Sequence, residues 1–165
     1  FFSKYMAIWG WATWKRAWSK YDVEMSDWSE TMRNKLSNEM LYLDKPTREH
    51  FLEHFENSFH NKYDTWDYQW VYRCLVENSY CITPYKNLIS NLGIEGRSGN
   101  STDSPFINMR KLEVNFGSSI PKLQHSYEVD KVLFYNVFNR FEKYIFIKKV
   151  LKKLNLLNFA QKIRV

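Results

Sequence analysis

The stretch Ile8-Trp9-Gly10-Trp11-Ala12-Thr13-Trp14-Lys15-Arg16-Ala17-Trp18 constrains this chain more than any other, because it sets four tryptophans around a glycine and two alanines. Indole side chains bury a large area at low entropic cost. Trp14, Ala17, Trp18 and Tyr21 fall at i, i+3, i+4 and i+7, the spacing of a buried helical stripe. Trp9, Gly10 and Trp11 have no helical spacing. They read as a strand end turning into that helix, with Thr13 as its N-cap. Beside small residues, where a backbone can approach closely, Trp9 and Trp11 are also flat walls suited to stacking on a pyranose ring. Composition alone leaves both readings open.

The chain has 165 residues, about one domain with room for a core. It opens inside a strand-like pattern, so a piece of a longer protein is expected. No apolar run reaches the roughly 18 residues that span a bilayer. Cys74 and Cys81 are too few for a disulfide framework or a cysteine-rich zinc site. Both lie in apolar surroundings, so reduced, buried thiols and a cytoplasmic setting are expected. The net charge of +6 is uneven. Residues 131–165 hold nine Lys/Arg against Glu142 alone, net +8, out of chain totals of 24 basic and 18 acidic residues. Residues 1–130 keep fifteen basic and seventeen acidic groups, net −2. A body of that balance argues against a nucleic-acid-binding surface.

Local signals divide the chain further. Tyr5-Met6-Ala7-Ile8 reads as a strand ending near Trp9, followed by a helix from Thr13 to about Tyr21. Residues 26–43 read as a polar helix with Asp27 and Glu30 at capping-box spacing. Asp44-Lys45-Pro46 starts another, through about Ser58. Thr65 caps a third, from Trp66 to about Glu77, with Trp70, Val71, Cys74 and Leu75 as its buried face. Tyr80-Cys81-Ile82-Thr83 and Asn87-Leu88-Ile89-Ser90 read as short strands, and Gly93 to Pro105 as a loop.

Several residues carry candidate chemistry. His50-Phe51-Leu52-Glu53-His54 matches a metalloprotease pattern. However, Phe51, Leu52, Phe55 and Phe59 define the apolar face, which leaves both histidines pointing to solvent. Asp67 lies in the first turn of a helix, where the helix dipole favours its ionised form. Flanked by Trp66 and Tyr68, it suits a general base taking a proton from a hydroxyl, although acidic residues are also common there for helix stability alone. The glycine-rich loop from Gly93 to Thr102 offers backbone amides and Arg97 to a diphosphate, or is a plain surface loop. In the tail, Ile147, Val150, Leu151 and Leu154 share one helical face, with Lys148, Lys149, Lys152 and Lys153 on the other. This amphipathic segment, 147–154, suits an anionic membrane surface, or packs on its own domain.

Three segments in order, Trp9-Gly10-Trp11-Ala12-Thr13-Trp14, Trp66-Asp67-Tyr68-Gln69-Trp70 and Pro84-Tyr85-Lys86-Asn87-Leu88-Ile89-Ser90-Asn91-Leu92-Gly93, resemble a known family. It is the bacterial nucleotide-diphospho-sugar transferases of the GT-A fold, distantly similar to the Golgi N-acetylglucosaminyltransferase that begins complex N-glycans. The resemblance covers about residues 5–102 and is to the C-terminal half. It implies an α/β, Rossmann-like sandwich whose N-terminal half, absent here, binds the nucleotide and carries an Asp-x-Asp motif. It implies a divalent metal, Mn or Mg, with ligands mostly in that other half and none assigned in this chain. It also implies that Asp67 is the catalytic base and that Trp9, Gly10 and Trp11 line the sugar and acceptor cleft. One departure is the glycine-rich loop, where members often carry a histidine and this chain has Asn100-Ser101; metal dependence is therefore open.

The expected organisation is an acceptor and catalytic half over 1–125 and a basic helical tail over 126–165. The expected activity is inverting sugar transfer from a nucleotide-sugar donor to a glycan or lipid-linked acceptor. The setting would be surface-polysaccharide assembly in the cytoplasm, peripheral on the inner face of the membrane. Asp67 would act as base, Trp9, Gly10, Trp11 and Trp66 would bind substrate, and Arg97 would hold the diphosphate. The alternative is a non-catalytic carbohydrate-binding or partner-docking domain.

Overall fold

Side chains closing backbone ends explain where two of the helices begin. The computed structural model describes residues 1–84, 86–89, 122 and 125–134. Helix α3, Lys45–Phe59, starts where Asp44 accepts a hydrogen bond from the Thr47 amide at 2.8 Å, with Pro46 in the first turn. Helix α2, Glu30–Glu39, starts at Ser29, whose Oγ accepts from the Met32 amide at 3.2 Å. The expected Asp27–Glu30 box does not form. Asp27 instead takes both guanidinium nitrogens of Arg73, at 3.0 and 3.1 Å, and the Tyr72 hydroxyl at 2.8 Å. An ion pair with a partner forty-six residues away outcompetes a local cap.

Helix α4, Asp67–Val76, buries Trp70, Val71, Cys74 and Leu75 as expected, and also Gln69 and Tyr72. Helices α2, α3 and α4 enclose a core in which Phe55 meets Trp28, Phe51 and Tyr72 at ring separations of 6.0, 5.9 and 5.6 Å. Edge-to-face arrangements dominate there, as the ring quadrupoles favour. The Trp28 indole donates to Glu56 Oε2 at 3.0 Å, so its one polar atom is satisfied.

Strands β1, Phe2–Ser3, and β2, Cys81–Ile82, form a two-stranded antiparallel sheet with Phe2 opposite Ile82 and Ser3 opposite Cys81. The strand expected over 5–8 does not form, and the reason lies in the next two amides. Lys4 N–H is held by both carboxylate oxygens of Asp130 at 3.3 Å, and Tyr5 N–H by Ser3 Oγ at 3.0 Å, which ends the ladder. Side chains then pin the segment as coil: Tyr5 stacks on Phe51 at 4.9 Å, and Met6 Sδ accepts the Trp70 indole N–H at 2.7 Å. Helix α5, Tyr127–Phe134, docks on β1 through the fully buried Asp130, which accepts from Ser3 Oγ at 2.6 Å and lies 2.6 Å from His125 Nε2.

Two further expectations fail for local reasons. Helix α1 is short, Lys15–Trp18, and Trp14 rather than Thr13 stands at its N-cap, with no side-chain cap. Ser19 Oγ bonds back to the Arg16 carbonyl at 3.0 Å as the helix gives way to tighter turns through Tyr21. Residues 86–89 are not a strand: Asn87 donates to the Ile89 carbonyl at 2.8 Å and accepts the Ile89 amide at 3.3 Å, closing a local turn. Ser90 lies outside the described residues. Among those residues the architecture is a small mixed helical domain with a two-stranded sheet.

Candidate functional site: an aromatic wall beside Asp67

Helix α1 buries none of its residues. Its expected stripe is split: Ala17 and Tyr21 are half-buried against the core, whereas Trp14 is 57% exposed and Trp18 40%. Trp11, half-buried, is the hub of the cluster instead. Its ring lies 5.2 Å from Trp66, 5.7 Å from Trp18 and 6.0 Å from Trp70. Trp18 stacks on Tyr21 at 4.5 Å with the planes 7° apart, and reaches Trp70 at 5.1 Å. The inner edge of this wall is anchored by Trp70 in the core, and the outer rings of Trp18 and Trp66 stay open to solvent.

Gly10 explains how the chain enters this wall. Its φ is +65°, a conformation that costs an L-residue about 1–2 kcal/mol. A Cβ there would also sit 2.6 Å from Ile89 Cδ1, so the glycine admits the Ile89 side chain. The expected small residue between Trp9 and Trp11 thus serves a contact with the segment 86–89. Trp9 is 43% exposed.

Asp67 is the first residue of α4, directly after Trp66. Trp66 stands at the N-cap position, and Thr65 one residue earlier supplies a weak cap of the expected kind, its Oγ1 accepting the Asp67 amide at 3.5 Å. The Thr65 hydroxyl donates to Asp67 Oδ1, and the Tyr68 amide donates to the same oxygen at 2.8 Å. Gln69 Nε2 holds the Thr65 carbonyl at 2.9 Å, fixing the donor itself. Asp67 Oδ2 has no hydrogen-bond or ion-pair partner among the described residues. One oxygen is clamped and the other is open. Tyr21 completes the corner: its hydroxyl donates to the Trp66 carbonyl at 3.3 Å. Burial raises the Tyr21 pKa, and the negative charges of Asp67 and Asp22 add to it, so the phenol keeps its proton.

Asp67, Trp11 and Trp66 are thus brought together, with Gly10 shaping the approach. Arg97 and the loop 93–105 lie outside the described residues, as does the basic segment 147–154. Tyr21 and Trp18 were read only as parts of a helical stripe. Their signal was present in the aromatic spacing, but its exposed side was not.

The expectation that His50 and His54 face solvent is corrected. His54 stacks on Tyr68 at 4.5 Å with planes 7° apart, and its ring is 4.2 Å from that of His50. Tyr63 adds a third wall 5.4 Å from His54. Burial lowers the His50 pKa, opposed by Glu53. The start of α4 and the preceding turn cover a side of α3 that its own apolar pattern leaves unassigned. Among the described residues no three His, Cys, Asp or Glu side chains converge to hold a metal ion. Nor is any helix among them long and apolar enough to cross a membrane. No protein-family model, curated protein or solved structure matches this chain.

Proposed function

We propose that this chain is the acceptor-side, catalytic part of a nucleotide-diphospho-sugar transferase with a Rossmann-like α/β frame. The observation that carries the reading is the Asp67 carboxylate, directly after Trp66 of the wall, with Oδ1 held by Thr65 and the Tyr68 amide while Oδ2 has no partner among the described residues. A general base needs a fixed orientation and one free lone pair, and proton transfer of this kind contributes about 10²–10⁴-fold. The wall positions a pyranose by stacking. Asp67 Oδ2 takes the proton of an acceptor hydroxyl, whose oxygen attacks the anomeric carbon from the face opposite the departing diphosphate, inverting that centre. Arg97 would neutralise charge on the diphosphate.

The described residues supply no ligand set for Mn²⁺ or Mg²⁺. No step here runs through such an ion, whose ligands the resemblance assigns mostly to the nucleotide-binding half. The acceptor would be a glycan or a lipid-linked sugar, in surface-polysaccharide assembly on the cytoplasmic face of the membrane. The exposed indoles also suit a second reading, glycan binding without catalysis, since stacking needs no carboxylate.

One variant separates the two. In the full-length protein, assayed with a nucleotide-sugar panel and acceptor, Asp67→Asn is expected to lower kcat by about 10²–10⁴-fold with the fold and donor affinity kept. Turnover near that of the parent removes Asp67 as the base. Glycan binding that survives in a protein with no turnover of any donor supports the non-catalytic reading.

A further inference from the structure

The first twenty-one residues hold four basic side chains, Lys4, Lys15, Arg16 and Lys20, and no Asp or Glu. Two of these cations are spent inside the fold. Lys4 Nζ donates to the Asn78 carbonyl at 3.3 Å and stands over the Tyr80 ring at 4.1 Å, and Lys20 pairs with Glu77. Lys15 and Arg16 have no ion-pair partner among the described residues. Beside them stand two exposed indoles. Trp14, at the N-cap of α1, is the most exposed tryptophan and meets no other ring among the described residues. Its contact is the Arg16 guanidinium, 5.1 Å from the ring centre. Trp18 follows one helical turn later. The buried indoles differ: Trp28 N–H is held by Glu56 and Trp70 N–H by Met6, whereas no acceptor among the described residues meets the N–H of Trp14 or Trp18.

We propose that Trp14, Lys15, Arg16 and Trp18 form a docking surface for an anionic lipid bilayer, with the indoles at headgroup depth and the two cations against lipid phosphates. An indole joins an apolar body to one polar N–H, which suits the boundary between headgroups and acyl chains. Unpaired Lys and Arg beside the rings add attraction to acidic lipid. The acidic groups nearby belong to other elements. Asp67 opens α4, Glu77 is tied to Lys20, and Asp22 takes the amides of Glu24 and Ser26 at 3.0 and 2.7 Å.

Charge selects this occupant over a nucleic acid. Residues 1–130 carry net −2, which repels a long polyanion, whereas a flat membrane meets only the turn that faces it, and charges farther off than a Debye length are screened. The surface is separate from the basic segment 147–154, which carries no tryptophan. Trp18 belongs to the wall as well, so a docked chain would hold the wall near the membrane surface, where a lipid-linked acceptor lies. The docking itself does not depend on sugar transfer.

The test adds vesicles of phosphatidylcholine, alone or mixed with phosphatidylserine, to the full chain. Sedimentation reads affinity, and lipids brominated just below the headgroup quench the emission of any indole at that depth. All seven tryptophans lie within residues 9–70, so attachment through 147–154 alone leaves the emission unquenched. Binding to the mixed vesicles is expected, weakening with salt, with emission shifted to the blue and partly quenched. Lys15→Gln with Arg16→Gln should weaken it about 30-fold. Trp14→Ala should lower the quenched fraction. Both variants change exposed side chains on a helix that buries none of its residues, so the fold is kept. Asp67→Asn should bind vesicles as the parent does, which separates this result from the fate of the transfer reading. No binding overturns the proposal, as does binding without quenching, equal binding to both lipid mixtures, unchanged affinity in the double variant, or tighter binding to single-stranded DNA than to vesicles.

Discussion

Two aromatic clusters share this domain and meet opposite fates. In the α2–α3–α4 core, Phe51 and Phe55 are 1% and 0% exposed and touch other rings edge-on or offset. Along α1 and the start of α4, Trp18 and Trp66 keep 40% and 39% of their surface in water. The first cluster fills space between three helices. The second is backed on one side by Trp70 and left open on the other, with a clamped carboxylate at its edge. Aromatic content is thus common to both, and packing on the far face separates a stabilising cluster from one that can receive a flat ligand.

Truncation should break the comparison most sharply in the core. Phe55→Ala removes a ring at 0% exposure and is expected to cost about 3–5 kcal/mol, read from chemical denaturation. A loss below about 1 kcal/mol would mean that the core tolerates a cavity there and that the contrast drawn here is false.

Gly10→Ala should come next, at about 1–2 kcal/mol for the left-handed backbone, plus whatever the Ile89 side chain loses in moving aside. The double variant with Ile89→Ala should recover the second part only. Full recovery would show that the clash, not the backbone, set the cost.

On the wall, Trp18→Ala should change stability by about 1 kcal/mol, well short of Phe55→Ala, because the ring is 40% exposed. Denaturation midpoints that fall as far as those of Phe55→Ala would make the wall an extension of the core.

The smallest effect concerns His50, packed against the ring of His54. Its pKa is lowered in the fold by burial, so the unfolded chain binds more protons below the ordinary histidine range. Its contribution is present above that range and is lost as pH falls through the folded value. Melting temperature followed downward from neutral pH should drop less steeply in His50→Gln than in the parent. Identical slopes would place the histidine in water, as its helix pattern suggested.

Much of the helical layer was legible because its signals are local. Asp44 and Pro46 start α3 within three residues, and the α4 stripe shows its 3.6-residue period directly. The misreadings came where a distant group took over a local one. Asp27 looked like a cap and became the partner of Arg73; Lys4 looked like strand and gave its amide to Asp130. Asn87 failed the other way, its side chain closing a turn where a strand was expected. At the candidate site, the position of Asp67 in a first turn beside Trp66 was readable. The clamp on Oδ1 was half readable in Thr65, taken there for a cap. The joining of Trp11 to Trp66 was not readable from spacing, since fifty-four residues separate them.

The sequence by itself determined where α3 begins, that a residue without a side chain stands between Trp9 and Trp11, and that Asp67 meets the start of α4. Those properties depend on backbone geometry and on hydrogen bonds that reach only a few residues along the chain. Tertiary structure alone decided which indoles stay in water and that Trp11 meets Trp66. Each is settled by which other segment occupies the space beside a side chain, and a helix or turn pattern does not specify what packs against it.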